Sequence, residues 1–214
     1  MLSPRKNWLS GLFSGKKASR SKSARRRFLV RDAEGLETRV LLAAAPLTNV
    51  AYTQNFDSLV NSGSASATGG ELTGTLDGWY FAESGTASNT TYTAGTGSAN
   101  GGDTYSFGAT SATDRAFGGL QSGSLIPTLG GQFINNNAGP ITQLDVSYFG
   151  ETWRTGTASR QDRLDFQYSL DATSLTTGTW IDVNTLDYSS PSTTAGTKDG
   201  NLAANRSQVT AAIS

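Results

Sequence analysis

Three side chains able to do chemistry fall within four positions of the segment GETWRTG, residues 150–156: Glu151, Trp153 and Arg154. A carboxylate such as that of Glu151 can act as acid, base or nucleophile in glycoside hydrolysis. That chemistry needs a second carboxylate at about 5–10 Å, and no spacing in the sequence brings one there. The candidates for the second carboxylate are Glu83, Asp162 and Asp165.

The same segment also has a structural interpretation, which we favour. An Arg at the end of a strand can pair with a carboxylate of a neighbouring strand, while a Trp packs over its aliphatic stem. We therefore expect Glu151 and Arg154, together with Asp114 and Arg115, to tie two strands and their loop together. On this interpretation the chain has no catalytic residue and is not an enzyme.

Composition excludes several kinds of catalytic site. The 214 residues contain no His and no Cys. A disulfide framework, a thiolate zinc site, an imidazole base and a Ser-His-Asp triad are therefore excluded. A protease or phosphodiesterase built from this chain would depend on carboxylate-bound metal alone.

Two loops rich in Asn, Gly and Asp, NGGD at 100–103 and NNN at 135–137, have two interpretations. Oxygen donors in flexible loops suit calcium, and the candidate ligands are Asp103, Asp57 and Asp77. Neither loop has the ligand spacing of an EF-hand, and the same residues are typical of turns with left-handed backbone. Calcium is the one cofactor that the sequence suggests.

Aromatic side chains provide a possible carbohydrate site, because β-sandwich modules often hold sugars by stacking a ring on the sugar face. Trp79 and Trp153 are the candidate ligand-binding residues. Tyr80 and Trp180 lie within predicted strands, which favours the core for both. Tryptophans packed in the interior would argue against carbohydrate binding, whereas two solvent-facing aromatics on one sheet face would support it.

The elements that position these residues are predicted to be β-strands. After Pro46, short segments of alternating apolar and polar residues are separated by Gly, Asn, Ser and Thr, and no window has a helical period. The Gly/Ser/Thr-rich stretches 60–76 and 85–102 are predicted to be long surface loops. The predicted strands are 50–56, 78–84, 103–109, 115–120, 131–136, 141–153, 163–170 and 179–184.

This spacing of strands indicates an all-β, antiparallel two-sheet sandwich of jelly-roll type. Leu144, Val146 and Tyr148 are expected on one side of their strand. In the segment 163–170, the residues expected to point inward are Leu164, Phe166, Tyr168 and Leu170.

The charge distribution separates a leader, residues 1–45, from the module, residues 46–214. Residues 1–40 hold 11 basic and 3 acidic side chains, a net charge of +8, whereas the other 174 residues hold 6 basic and 14 acidic, a net charge of −8. The acidic module would repel a phosphate backbone, so we expect no nucleic-acid partner. We expect the leader to be partly helical or disordered.

The leader has features of an export segment. A basic run precedes a short apolar stretch at 40–45, which ends in the small residues that export peptidases accept. No stretch approaches the roughly 18–20 apolar residues of a membrane span, so none is predicted.

The segment LETRVLL, residues 36–42, resembles the LEPR-x-LL segment near the start of many surface and secreted proteins of planctomycete-type bacteria. Thr38 stands where that family usually has Pro. The resemblance implies export, and therefore a secreted or cell-surface location. The residues that carry it are Leu36, Glu37, Arg39, Leu41 and Leu42.

The rest of the chain resembles a secreted bacterial β-sandwich module whose ligand is generally not established. Such modules often precede other domains in large extracellular proteins, including nucleases and adhesins. In them, the strand begun by 207–213 leads to closing strands, so we expect this chain to be a fragment with downstream domains. The matching segments are QNFDSL at 54–59, DTYSFG at 103–108, DRAFG at 114–118, YFGETWR at 148–154 and LDFQYS at 164–169.

Together these features predict a non-catalytic structural or adhesive module at the front of an exported cell-surface or extracellular protein. The expected partners are extracellular polysaccharide or cell-envelope components. The alternative is a carbohydrate-binding module or an accessory domain of a secreted hydrolase.

Overall fold

The computed structural model describes residues 43–214, and this part of the chain is all-β, as predicted. It contains seventeen short strands and three 3-10 segments, and residues 43–214 include no α-helix. The export residues Leu36, Glu37, Arg39, Leu41 and Leu42 lie outside the described residues, as do residues 1–42 of the leader that is expected to be partly helical or disordered.

The largest sheet has four strands: β2 (Ser64–Ser66), β5 (Thr91–Gly95), β6 (Asp103–Phe107) and β7 (Ala116–Leu120), in the order β2-β5-β6-β7. The pairing of β5 with β6 is parallel and the other two are antiparallel. Parallel neighbours usually need a connection of about a dozen residues or more. Here the chain returns over residues 96–102, where Gly97 takes the left-handed φ of 76°.

A second sheet has three antiparallel strands, β3 (Glu71–Leu72), β4 (Trp79–Ser84) and β8 (Ile126–Gly131), in the order β3-β4-β8. Side chains of the two sheets meet in one apolar cluster, in which Leu72 and Phe81 of this sheet join Tyr92 of the first. Burial of each such side chain contributes about 1.5–3 kcal/mol. The buried members of the cluster are Leu59, Ala67, Leu72, Leu76, Phe81 and Tyr92.

The remaining strands form five two-stranded ladders, of which four are nested like brackets. The outermost ladder joins the two longest strands, and each inner ladder lies between the strands of the one before it. The second half of the chain is therefore one long, interrupted antiparallel hairpin, with its tip between β13 and β14. The nested pairs are β10 (Leu144–Glu151) with β17 (Arg206–Ile213), β11 (Arg154–Thr155) with β16 (Gly196–Thr197), β12 (Arg163–Leu164) with β15 (Tyr188–Ser189), and β13 (Gln167–Tyr168) with β14 (Ile181–Asp182).

The fifth ladder pairs β1 (Ala45–Leu47) with β9 (Phe133–Asn135) in parallel. Two of the ten strand pairings between residues 43 and 214 are thus parallel and eight are antiparallel. The antiparallel character predicted from the sequence therefore dominates.

The strand β10 has the predicted alternation. Leu144, Val146 and Tyr148 are half-buried on one face, while the residues between them are exposed. On the opposite face, the Ser147 and Thr210 hydroxyls are 3.0 Å apart across the ladder with β17. Alternation of this length sets the register, because a slip by one residue would expose the whole apolar face.

The predicted strand 50–56 does not form. The side chain of Gln54 accepts a hydrogen bond from the Phe56 backbone N–H at 2.9 Å, and Phe56 has a left-handed φ of 62°. Such local side-chain bonds compete with a strand ladder. The aromatic side chains still pack, since the Phe56 ring lies edge-on to Trp79 with centroids 4.7 Å apart.

The predicted strand 163–170 is divided into β12 and β13. Between them, the Phe166 N–H donates to Asp187 at 2.8 Å instead of to a strand backbone. Phe166 and Tyr168 are half-buried as expected, but Leu164 is 51% exposed and Leu170 is 90% exposed. The inward position predicted for these two leucines is therefore wrong.

The stretches predicted as long loops contain short strands. Residues 60–76 include β2, β3 and a 3-10 turn, Gly74–Leu76, and residues 85–102 include β5. Each of these strands adds only one or two apolar side chains to the core, such as Tyr92 of β5. Their sequences therefore do not show the alternation of apolar and polar residues by which a strand is predicted.

Candidate functional site

The segment that could do chemistry forms the corner between β10 and β11. Thr152 and Trp153 lie between the two strands, and both are held by backbone hydrogen bonds. The Thr152 N–H donates to the Asn205 carbonyl at 2.8 Å, and the Trp153 carbonyl accepts the Lys198 N–H at 2.8 Å. The corner is therefore fixed to the strand regions that follow it in the chain.

Trp153 is buried within this corner and is only 5% exposed. Its ring is parallel to that of Phe107, with centroids 6.2 Å apart, and Phe107 in turn stacks on Tyr105 at 4.9 Å. Gly97 and Gly200 leave room for it. A Cβ on Gly97 would lie 1.9 Å from the Trp153 carbonyl oxygen, and one on Gly200 would lie 2.3 Å from its indole nitrogen.

Glu151 is half-buried beside this indole, and its carboxylate accepts the Trp153 N–H at 2.9 Å. Burial raises the pKa of the Glu151 carboxyl, and the charges of Asp114 and Asp199 raise it further. The Trp153 hydrogen bond and the charge of Arg206 act in the opposite direction. A carboxyl with a raised pKa can be a general acid, but this one is engaged with its own neighbour.

Arg154 takes part in none of the three ion pairs found between residues 43 and 214, although an arginine at a strand end can pair with a carboxylate of a neighbouring strand. Its guanidinium donates to the backbone carbonyls of Gly97 at 3.0 Å and Ser98 at 3.3 Å. Asp114, another member of the predicted structural cluster, accepts a hydrogen bond from the Asn201 amide at 2.8 Å. The arginine of the corner is therefore held by the loop that follows β5.

Arg115, the fourth member of the predicted cluster, is 4% exposed. Its side chain donates to the Ser106 hydroxyl at 2.8 Å, to the Ala109 carbonyl at 3.2 Å and to the Ser106 carbonyl. Gly108 makes space for the side chain, since a Cβ there would lie 2.3 Å from a terminal guanidinium nitrogen. The bonds of Arg115 are therefore to neutral groups.

The candidate calcium ligands are not brought together. Asp57 accepts the Arg115 N–H at 3.3 Å, near the end of β6, whereas Asp103 begins that strand. The length of β6 separates these positions by about 13 Å. Asp77 lies in the turn before β4. Residues 43–214 contain no group of three or more Asp or Glu residues placed to hold a metal ion.

The three candidates for a second carboxylate also have local partners. Glu83 accepts the Thr104 N–H at 2.9 Å and the Asn89 N–H at 2.9 Å. Asp162 pairs with Arg160 at 2.7 Å, and Asp165 pairs with Arg163 at 2.5 Å. The hydrogen bonds that hold these side chains are with groups other than Glu151.

The other aromatic candidates have different environments. Trp79 is half-buried, and its indole N–H donates to the Tyr52 hydroxyl at 2.7 Å. Tyr80 is buried, as predicted, and its hydroxyl donates a hydrogen bond to the Ala43 carbonyl. Trp180 was expected in the core, but it is 36% exposed beside Ile181, which is 45% exposed.

Two adjoining cavities next to the corner were not predicted. They share Thr96, Ala109 and Thr110, and Arg115 lines a cavity of about 210 Å³. The other, of about 420 Å³, is also lined by Trp153, Thr197, Lys198 and Asp199. The sequence does not reveal them because their walls come from five separate segments of the chain, and only Arg115 at the start of a predicted strand gives a signal.

The described part of the chain has no helix with the length and apolarity needed to cross a membrane. The chain matches no protein-family model, no curated protein and no solved structure.

Proposed function

We propose that the chain is a non-catalytic structural or adhesive module of an exported cell-surface or extracellular protein. The observation that carries this proposal is the use of the reactive side chains at the β10–β11 corner. Glu151 is bound to Trp153, and Arg154 is bound to backbone carbonyls. Engagement with neighbouring groups of the same corner favours a role in stabilising the loop.

The composition of residues 43–214 fits a role at a surface. Ser, Thr, Asn and Gly make up most of the connecting segments, and charged side chains are few. The exported location depends on the resemblance of the leader segment LETRVLL to the planctomycete-type export segment. The charge of +8 over residues 1–40 is consistent with that resemblance.

Export can be tested with the full chain fused to a reporter in a planctomycete-type bacterium. We expect the reporter to be cleaved when protease is added to intact cells. The double variant Leu41→Arg, Leu42→Arg should keep the reporter inside the cell and protected from protease. The double variant Leu9→Arg, Leu12→Arg makes the same changes outside the motif and should leave the reporter exported. A protected reporter in the unsubstituted fusion would contradict the proposal.

Adhesion can be tested by sedimenting the purified chain with isolated cell envelopes. We expect saturable retention that is lost when the chain is unfolded by heat. Retention equal to that of an unrelated all-β protein of similar charge would contradict an adhesive role.

Carbohydrate binding is the second candidate, and the exposure of Trp180 favours it. The indole of Trp180 is held by a hydrogen bond from its N–H to the Thr177 carbonyl at 2.8 Å, which leaves it 36% exposed. Trp180→Ala should then abolish retention on a polysaccharide column. Trp79→Phe, which alters a half-buried ring, should not.

A further inference from the structure

The guanidinium of Arg115 is buried without an acidic partner in the described chain. The three ion pairs found between residues 43 and 214 involve other residues, so no carboxylate there lies within 4 Å of it. Three of the five N–H donors of an arginine are engaged, all with a hydroxyl or a carbonyl oxygen. Two donors remain for another group.

A buried positive charge is costly unless an opposite charge compensates it. The nearest acidic groups serve other partners, since Asp114 accepts from Asn201 and Asp57 accepts from the Arg115 backbone. Burial lowers the pKa of Arg115, and the charge of Asp114 partly offsets this. An arginine stays protonated nevertheless, so the charge remains to be balanced.

The charge lies at the wall of the 210 Å³ cavity. Since about 10–15 Å³ of such space already admits one water molecule, this cavity can hold a small organic ligand. Polar groups line it without adding charge: Asn61, Ser62, Thr96, Thr110 and Ser111. A small ligand with one negative charge and several hydroxyls would match both its size and its lining.

We propose that this cavity binds the carboxylate of a sugar acid, with Arg115 as the residue that pairs with it. A planar guanidinium suits a carboxylate, and the side-chain hydroxyls of Thr96, Thr110 and Ser111 suit the hydroxyls of the ring. The ligand is either a free sugar acid or a uronic-acid residue of a polysaccharide. The proposal does not depend on export or adhesion, because either ligand would bind the isolated chain.

The first test is calorimetry of the full chain with sodium glucuronate and with glucose. The two differ at the carboxylate, so we expect saturable heat with glucuronate and none with glucose. Equal binding of both, or binding of neither, would overturn the proposal. Polyglucuronate distinguishes the two sources of the ligand. If the chain binds polyglucuronate, the ligand is a residue of a polysaccharide; if it binds glucuronate but not polyglucuronate, the ligand is a free sugar acid.

The second test removes the charge. Arg115→Gln keeps a hydrogen-bonding side chain, and it should weaken glucuronate binding roughly ten- to hundredfold, the loss of one charge-assisted interaction. Arg160→Gln is the matched control, because it removes the same charge from a side chain that is 59% exposed. Equal affinity in the Arg115 variant and the wild type would overturn the assignment.

If Arg115→Gln does not fold, the wild-type protein still decides the question. Amide chemical shifts recorded during a glucuronate titration should move at Gly95, Thr96, Gly108 and Ser111. Shifts confined to other residues would overturn the proposal, as would unchanged spectra.

Discussion

The indole N–H of Trp153 donates to the carboxylate of Glu151 at 2.9 Å, which joins the residue at the end of β10 to the buried ring at the corner. The bond satisfies the buried indole donor and engages a half-buried carboxylate. It also explains why Glu and Trp stand two positions apart in a segment otherwise poor in such residues.

Loss of the Trp153 ring should be strongly destabilising. Trp153→Ala would open a cavity beside Phe107 and leave Glu151 without its donor, so we expect a loss of about 3–5 kcal/mol in the free energy of unfolding. Urea denaturation followed by circular dichroism measures it. Trp180→Ala should change the value by no more than about 1 kcal/mol, and similar losses in both variants would contradict the packing described here.

The stability of the protein should depend on the protonation of Glu151. Its pKa is raised above 4.5 in the folded state, so the folded protein keeps this proton to a higher pH than the unfolded chain. The resulting stability is present at low pH and is lost as the pH rises from about 4.5 through the folded pKa. Glu151→Gln cannot ionise, so it does not undergo this loss. The unfolding free energy of the variant minus that of the wild type should therefore increase as the pH rises through this range.

Urea titrations at successive pH values test this, and Asp171→Asn is the contrasting variant. Hydrogen bonds to the Asp171 carboxylate lower its pKa below 3.8 in the folded state, and the bond from the Thr179 N–H has the largest effect. Its contribution is present above that pH and is lost on acidification. The stability of Asp171→Asn relative to wild type should thus decrease as the pH rises through 3.8. Parallel profiles for the two variants would refute the assigned signs.

Gly97 should not tolerate a side chain. It has a φ of 76°, and an added Cβ would lie 1.9 Å from the Trp153 carbonyl oxygen. Gly63→Ala is the control, because Gly63 has a similar φ of 65° but no atom within 4 Å of an added Cβ. We expect Gly63→Ala to cost about 1–2 kcal/mol from backbone strain alone and Gly97→Ala clearly more. Equal melting temperatures would contradict the close approach.

Arg163 contacts two carboxylates of unequal importance. Asp187 lies 3.3 Å from it with a side chain only 7% exposed, whereas Asp165 is 55% exposed. Asp187 also accepts the Phe166 N–H at 2.8 Å. We expect Asp187→Ala to cost about 1–3 kcal/mol, because it leaves the Phe166 N–H without its acceptor, and Asp165→Ala about 0–1 kcal/mol, as measured by chemical denaturation. A larger loss for Asp165→Ala would reverse this assignment.

The strands best predicted from sequence are those with several apolar residues in alternation. β6 and β10 are of this kind: Tyr105 and Phe107 stack on each other, and Leu144, Val146 and Tyr148 share a face. β3 has only two residues, so it is too short to display a period. The Gln54 hydrogen bond that prevents a strand at 50–56 is a local event that alternation cannot reveal.

The sequence draws attention to the corner but does not predict its bonding. Residue types and spacing single out Glu151 and Arg154, but they do not name the groups that hold them. The partner of Arg154 is the backbone of Gly97, 57 positions away, and a carbonyl has no sequence signature. The cavity at Arg115 is hidden from sequence for the same reason, since Thr96 and Ser111 meet there only after folding.

The nested ladders from β10 to β17 define an order in which the second half of the chain can assemble. Only 12 residues separate β13 from β14, whereas 54 separate β10 from β17. Closing the longer loop directly costs about 1.3 kcal/mol more in chain entropy. If the tip pairs first, each ladder brings the next strands close, so the hairpin zips outward and β10 meets β17 last. Translation would delay that final ladder until residue 213 has left the ribosome.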